Sequence, residues 1–546
     1  MPLGLENAQS WDVEADVVVV GFGAAGACAA LEAAAAGCSV LVLDRFGGGG
    51  ATALSGGVVY AGGGTAQQRA AGVTDSAEAM LAYLRSEAGD VVTEGTLKEF
   101  CAGSVAMLAW LEGHGVPFEG SLCPYKTSYP TNQHYLYYSG SELSRAGLAT
   151  PAPRGHRTRG RGTSGKLLYA RLAAAVRACG AGVLTQTTAQ RLVTDETGRV
   201  AGVACLSLRD APGWAATAHR VLHRWSKKPY LYMPKIGRIM HRPVAALERR
   251  YARPLRVGAS RGVVLAAGGF AASRPLMRQH APHARGALPL ATPGDDGSGI
   301  RLGVEAGGAT AFLDRVSVWR FVTPPPALVH GVLVDQAGQR ICDEALYGAA
   351  IGAEIIKHGG KAWLLADHAT LTDARREMRG STLWFQRFQA RYLLTSGKVS
   401  ANTIAGVAAK AGIDPAGLAA TVTACNASAR TLLAGEGPAG DGPAGRADPL
   451  GKPADQVRAQ DQPPYSLIDC SIRPSLFFPA PVLTLGGLIV EPETGQVLRA
   501  DGTGVAGLYA AGRTAVGICS GSYVSGLSIA DCVFSGRRAG RHAVRT

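Results

Sequence analysis

"ADVVVVGFGAAGACAALEAAAAGCSVLVLDR", residues 15–45, joins two buried strands through a glycine turn and an alanine-rich helix. Val17–Val20 is an unbroken β-branched run, the pattern of a strand covered on both faces. Gly21-Phe-Gly23-Ala-Ala-Gly26 follows, then a helix predicted over Ala27–Ala36 and ended by Gly37. Val40–Leu43 reads as a second strand, closed by Asp44. The order is strand, G-x-G-x-x-G, helix, strand, acid, which is the dinucleotide-binding βαβ unit. Gly21 permits the tight turn, Gly23 lets backbone approach a pyrophosphate, and Gly26 lets helix and strand pack closely. Free N–H groups at the helix start favour the anion. Asp44 is placed to accept from a ribose hydroxyl. Ala25 in the turn and Arg45 beside the acid complete this group of cofactor-binding candidates.

Downstream, "GGGGATALSGGVVYAGGG" (47–64) keeps small residues close to the ligand through Ala51, Thr52, Ser55, Gly56 and Gly57. Continued contact of this kind suits an extended cofactor, so FAD is expected rather than NAD. "GVVLAAGGFAAS" (262–273) and "GVAGLYAAGRTA" (504–515) are two further strands running into glycines, with Gly268 and Gly512 as cofactor contacts. Glycine-ended strands near the start, middle and end of the chain imply a cofactor domain split by an insertion. The expected division is a FAD-binding domain over 1–310, carrying a basic insert at about 219–261. A capping domain over 311–478 and the rest of the FAD-binding domain over 479–546 follow. The fold class is α/β, a Rossmann-like FAD domain interrupted by a smaller α+β cap. Within the cap, "AGEGPAGDGPAGRADPLGKP" (434–453) is low in complexity and reads as a mobile loop.

The 546 residues are 47 % hydrophobic and 18 % charged, with 73 Gly and no collagen-like period, so the chain is globular with many tight turns. Eleven Cys are scattered without a CxxC pair, which predicts reduced thiols in the cytoplasm and no metal site. The N-terminal residues carry Glu6, Asp12 and Glu14 and lack the basic start of a secretory signal. Val17–Leu31 is uncharged but falls short of the roughly 20 residues a membrane span needs, and glycines break it. The net charge of +14 is uneven: Arg220 to Arg261 holds twelve Lys/Arg against Glu248 alone. A local patch of this kind does not make a nucleic-acid-binding protein. With Trp225, Tyr230, Leu231, Tyr232 and Met233 inside 219–256, it reads either as a solvated loop or as a peripheral contact with the inner face of the membrane.

"GICSGSYVSGLSIADC" (517–532) has hydroxyls and no cation; between Arg513 and Arg537 there is no Lys, Arg or His. A diacid substrate would want guanidinium here. If the loop is extended, Tyr523 and Ser525 share a face. They are then either substrate-facing hydroxyls or caps on the helix expected from about Leu527. Leu527 and Ser528 open that helix, whose N-terminus is expected at the flavin. Asp296 in "GDDGSGI" either contacts the cofactor or caps the helix after it. Tyr125, Tyr129, Tyr135, Tyr137 and Tyr138 form a cluster that either lines a pocket or packs in the core.

Together, "VVVVGFGAAGACAALEAAAAG", "ATALSGG", "GVVLAAGGF", "PGDDGSGIRLGVEAGG", "TLGGLIVEPETGQVL" and "GLYAAGRTA" resemble the fumarate-reductase/3-ketosteroid-dehydrogenase flavoproteins. The resemblance implies a cap closing over FAD with substrate between the domains. The membrane-complex members attach flavin to a His after the first βαβ; Arg45 to Arg69 holds none, so FAD is expected to be noncovalent. Δ1-desaturating members carry Tyr-Pro-Gly-x-Gly in the C-terminal loop. Tyr523-Val-Ser525 is instead similar to the Δ4-(5α)-dehydrogenases, which pair Tyr-x-Ser with a second Tyr from the cap. Tyr347, in "GQRICDEALYG", is the candidate for that Tyr. The implied function is dehydrogenation of a 3-oxo-5α-steroid to the 3-oxo-4-ene: Ser525 takes the C4 proton with Tyr523 as relay, Tyr347 hydrogen-bonds at the ketone or in the relay, and the C5 hydride passes to FAD. A hydrophobic 3-ketosteroid substrate and an external electron acceptor are the implied partners. The alternatives are a Δ1-dehydrogenase, a fumarate-reductase-like reductase of an unsaturated acid, or an electron-transfer flavoprotein subunit.

Overall fold

The computed structural model describes residues 10–434 and 448–545. The first strand, Val13–Val20, lies at the centre of an eight-stranded sheet and pairs in parallel with Val40–Asp44 and with Arg253–Leu265. Parallel strands Gly182–Thr185 and Gly504–Ala510 extend the two sides. Val17, Val18 and Val19 are fully buried, each contributing about 1.5–3 kcal/mol of apolar burial. The first helix is Ala24–Ala35, three residues earlier than the sequence pattern predicts, because it starts directly on the glycine turn.

Two glycines tie this turn to the sheet. Gly21 has φ +105°, and a Cβ there would stand 2.4 Å from the carbonyl oxygen of Ala266. At Gly26 a Cβ would fall 1.9 Å from the carbonyl oxygen of Gly21, so the helix lies against its own turn. The long C-terminal helix, Leu527–Ala543, packs on the first helix.

A four-stranded antiparallel sheet of Val332–Val334, Trp363–Ala366, Tyr465–Asp469 and Lys398–Ala401 carries a separate core with helices Gly348–Lys357, His368–Ser381 and Trp384–Leu394. A short sheet of Leu288–Pro289, Pro481–Thr484 and Val316–Val318 bridges this layer to the large sheet. The low-complexity loop expected at 434–453 lies, over 435–447, outside the described residues.

The basic stretch is not a solvated loop. It forms two helices, Gly213–Tyr232 and Pro234–Tyr251, packed against each other between antiparallel strand Val200–Ser207 and strand Arg253–Leu265. Arg45 latches this hairpin to the first βαβ unit through Glu248 (3.1 and 2.9 Å), and His219 reaches the same carboxylate at 3.2 Å. The local reason is charge: Glu248 is the one acid among twelve cations, and it is turned inward. Among the described residues, no helix is long and apolar enough to cross a membrane.

Candidate active site

One cavity of about 460 Å³ runs from the first glycine turn to the C-terminal loop. Its lining includes Gly21, Gly23, Ala25, Asp44, Arg45, Ala51, Thr52, Ser55, Gly56, Gly57, Gly268, Asp296, Gly512 and Ser528 at one end and along its length. Tyr347, Tyr523 and Ser525 line it as well. Gly26 and Leu527 do not. Gly26 acts in packing, and the Leu527 side chain is fully buried in the core.

The first helix has no side-chain cap; Thr52 Oγ1 accepts from the Ala24 N–H at 3.1 Å, and the rest of the first turn is open to an anion. Asp44 is held by backbone: one oxygen accepts from Phe46 (2.8 Å) and Gly48 (2.9 Å), the other from Phe22 (3.1 Å). Asp296 does two jobs. It accepts from the Ser298 N–H at 3.0 Å, capping the helix that follows, and its other oxygen pairs with Arg45 at 3.0 Å. An uncapped helix start, a fixed acid and a long cavity beyond them fit an extended dinucleotide. The sequence did not mark the wall opposite. His223, Lys227, Leu231 and Tyr232 of the basic hairpin line the cavity, with His223 stacked on Phe46 at 3.8 Å.

At the other end, the C-terminal loop runs over Tyr523 and Ser525 with Val524 buried between them, so both hydroxyl residues face the cavity. The Tyr523 ring lies 4.9 Å from Trp319 and 6.3 Å from Tyr347, which in turn meets Phe321 at 5.7 Å. Tyr347 lines the cavity, whereas Tyr392 packs on Phe477. Trp319 and Phe321 come from "SVWRFV".

Of the tyrosine cluster, Tyr129 lines the cavity and Tyr137 lies immediately behind it. Tyr137 is fully buried in the short strand Leu136–Tyr137, and its hydroxyl is 3.0 Å from Ser525 Oγ. The residues after it form a bed for the loop. Ser139 Oγ donates to the Ser525 carbonyl at 3.0 Å, and Ser141 Oγ accepts from the Tyr347 N–H at 3.0 Å. Burial pushes the Tyr137 and Tyr523 hydroxyls above their ordinary range. Burial first, then the neighbouring Tyr523 and Tyr137, does the same to Tyr347, with Ser525 pulling against them. All three phenols are therefore neutral at physiological pH.

The cavity's cations are accounted for at the dinucleotide end or in pairs. Arg45 is bound to Glu248 and Asp296, and Arg513 donates to Asp295 at 2.7 Å. Lys227 and His223 belong to the hairpin wall. Among the described residues, no lining cation comes from 311–478 or from the Tyr523–Ser528 loop. Among the described residues no cluster suited to a metal ion occurs, and all eleven cysteines are free thiols.

Comparison with known proteins places these features in context. The family model for the FAD binding domain matches residues 16–526. The 3-oxo-5-alpha-steroid 4-dehydrogenase of Comamonas testosteroni is 38 % identical over 525 residues, covering 94 % of this chain and 95 % of that protein. The crystal structure of 3-ketosteroid-delta4-(5alpha)-dehydrogenase from Rhodococcus jostii RHA1, in complex with 4-androstene-3,17-dione, superposes with TM-score 0.80 at 32 % identity and covers 99 % of both chains. The 3-oxosteroid 1-dehydrogenase of Mycobacterium tuberculosis is 27 % identical over about half of each chain.

Proposed function

The chain belongs to the FAD binding domain family, and from that premise we propose that it is a FAD-dependent dehydrogenase converting a 3-oxo-5α-steroid to the 3-oxo-4-ene. The observation that carries this reading is the Tyr523 end of the cavity. It presents neutral hydroxyls and the aromatic faces of Trp319, Phe321 and Tyr347, and its lining arginines are engaged by carboxylates, Arg45 by Glu248 and Asp296 and Arg513 through one nitrogen by Asp295. Such a chamber suits a large apolar ketone and disfavours an unsaturated diacid.

Gly21, Gly23, Thr52, Asp44 and the uncapped first helix would hold the dinucleotide. Bound FAD supplies the acceptor for the hydrogen on C5. The chain's own part is the proton. The hydrogen on C4 is acidic because it lies next to the ketone, and Ser525, with Tyr523, takes it. Tyr347 hydrogen-bonds in the same relay or at the ketone oxygen, where negative charge develops. Residues 311–478 close over this chamber, and an external acceptor takes the electrons afterwards.

The test is anaerobic mixing of the yellow protein with a saturated 3-oxo-5α-steroid. Bleaching of the flavin band with a 4-ene product is expected. A 1-ene product moves the assignment to the Δ1 relatives. No bleaching by any ketosteroid, together with flavin reoxidation by fumarate-like acids, overturns it.

We also propose that the hairpin meets an anionic lipid surface at the inner face of the membrane. Trp225, Tyr232, Met233, Ile236 and Ile239 are exposed on it beside its Lys and Arg side chains. Replacing Trp225, Ile236 and Ile239 by Ser is expected to abolish sedimentation with phosphatidylserine vesicles; unchanged sedimentation overturns this.

A further inference from the structure

Hydroxyl relays need something behind them. Tyr523, Tyr347 and Tyr137 are all made less acidic by burial, so none is an ionised base at neutral pH. A serine or tyrosine hydroxyl can take a proton from carbon only as it passes its own proton on.

Beneath the Tyr523–Ser525 loop lie a buried glutamate and a half-buried lysine that the steroid reaction leaves unused. Gly140 sits against Val524: a Cβ on Gly140 would stand 2.7 Å from Val524 Cγ1 and 3.2 Å from Glu142 Oε1. Glu142 Oε2 accepts from the Gly140 N–H at 2.8 Å, and Lys126 Nζ donates to the Gly140 carbonyl. One residue, Gly140, therefore links the glutamate to the lysine, through its N–H on one side and its carbonyl on the other. Glu142 is 1 % exposed, and its Oε1 has no hydrogen-bond partner. Burial raises its pKa against the pull of Lys126. On the cap side, Lys126 and Tyr347 both line a second cavity of about 10 Å³, room for roughly one water. The Tyr347 N–H donates to Oγ of Ser141, the residue before Glu142 in the chain.

A competing carboxylate, Glu87, is already occupied. Its Oε1 accepts from Tyr83 at 2.9 Å and its Oε2 from Ser522 at 2.7 Å. Tyr83 OH would also lie 2.5 Å from a Cβ on Gly140, so Glu87, half-buried, is the outward continuation of the same polar chain.

We infer that the Lys126–Glu142 pair takes up the proton that the cavity hydroxyls remove from the substrate, with Glu142 as acceptor. This rests on the dehydrogenase reading above. The C–H bond at C4 breaks and its electron pair stays with carbon. The proton goes to a cavity hydroxyl as that hydroxyl's own proton moves inward through Tyr347, and the Glu142 carboxylate ends as a carboxylic acid. Glu142 touches no substrate; it is a positioning residue that acts through Tyr347. The charged and titratable groups facing it are Lys126, Arg154, Tyr60, Tyr83, Tyr138 and Tyr347. Asp343 and Glu87 face Lys126 from the other side.

The test is the pH profile of anaerobic flavin bleaching by a 3-oxo-5α-steroid, measured on the FAD-loaded protein. In the wild type the rate rises with pH as Glu142 ionises. Glu142→Gln is expected to lower the rate roughly a hundredfold and to flatten that rise, with Glu142→Asp restoring part of both. Lys126→Met removes the cation that pulls against the burial of Glu142 and moves the rise to higher pH. This gives an independent readout if Glu142→Gln does not retain flavin. A Glu142→Gln rate within threefold of wild type, a lowered rate with the pH profile unchanged, or an unmoved rise in Lys126→Met overturns the inference. In each of those cases the wild type still bleaches and the steroid reading stands. If no ketosteroid bleaches the wild type, that reading falls and the inference falls with it.

Discussion

Removing Tyr137's hydroxyl should cost the reaction only through Ser525. The two oxygens are 3.0 Å apart, Tyr137 is fully buried, and its ring does not line the cavity. A hydrogen bond of this kind contributes about 1 kcal/mol net, and if all of it is expressed in the barrier the rate falls about fivefold. Ser525→Ala removes the proton-handling hydroxyl itself and should cost about 10²–10⁴-fold. Tyr137→Phe added to Ser525→Ala should then cost nothing further, because the partner it acts through is gone. Stability should run the other way. Ser525→Ala leaves the Tyr137 hydroxyl buried and unpaired, a loss of about 1–3 kcal/mol; the double variant removes both partners and should recover most of it. Stopped-flow flavin bleaching by a 3-oxo-5α-steroid gives the four rates, and thermal unfolding of the four proteins gives the stabilities. Additive rate losses in the double variant would refute the reasoning, since Tyr137 would then contribute by a route that bypasses Ser525.

Gly26→Ala should release FAD, because its Cβ would lie 1.9 Å from the Gly21 carbonyl oxygen and the helix must move off the turn. Overpacking of this kind costs about 1–3 kcal/mol or more, and the flavin-to-protein absorbance ratio measures it. Tyr523→Phe and Tyr347→Phe should each slow flavin bleaching while leaving FAD content unchanged; loss of FAD instead would place those rings in the dinucleotide site. Glu248 anchors the basic hairpin. Burial alone would raise its pKa, but His219 and Arg45 outweigh it and bring the value from 4.5 to about 2. The stabilisation is therefore complete above pH 4.5 and lost as pH falls towards 2. Limited proteolysis at 213–251 should rise across that window, and Glu248→Gln should be susceptible at pH 7 already.

The first βαβ unit could be read from the sequence because every signal in it is local. The valine run, the glycine spacing and the acid after the second strand lie within 31 residues. Tyr523 and Ser525 were legible for the same reason, two positions apart on an extended loop with Val524 turned inward. Tyr137 was not. Its partner Ser525 is 388 residues away, and in sequence it is one tyrosine of five. Glu142 had no signal at all: its meaning comes from Gly140 and Val524 meeting across the fold. The solvated-loop alternative for the basic hairpin failed because its two helices hold Pro229 and Pro243 inside them, which hides the helical pattern. The inward face, with His219, His223 and Glu248, follows a helical spacing that cation density concealed.

These cases share a physical cause. An apolar chamber that must ionise a C–H bond faces conflicting demands. An unpaired charge on its wall is costly to bury and repels a hydrocarbon substrate, yet proton removal needs a base. Neutral hydroxyls on the wall with ionisable groups one layer behind satisfy both. Tyr523, Ser525 and Tyr347 face the chamber; Glu142 and Lys126 lie beneath Gly140, where backbone groups hold them. At the dinucleotide end the demand is reversed, since an anionic cofactor wants donors and cations, and there Arg45, Lys227 and the open helix start reach the cavity directly. The missing cations of "GICSGSYVSGLSIADC" are thus one half of a charge gradient along a single cavity, whose other half holds Arg45 and Lys227.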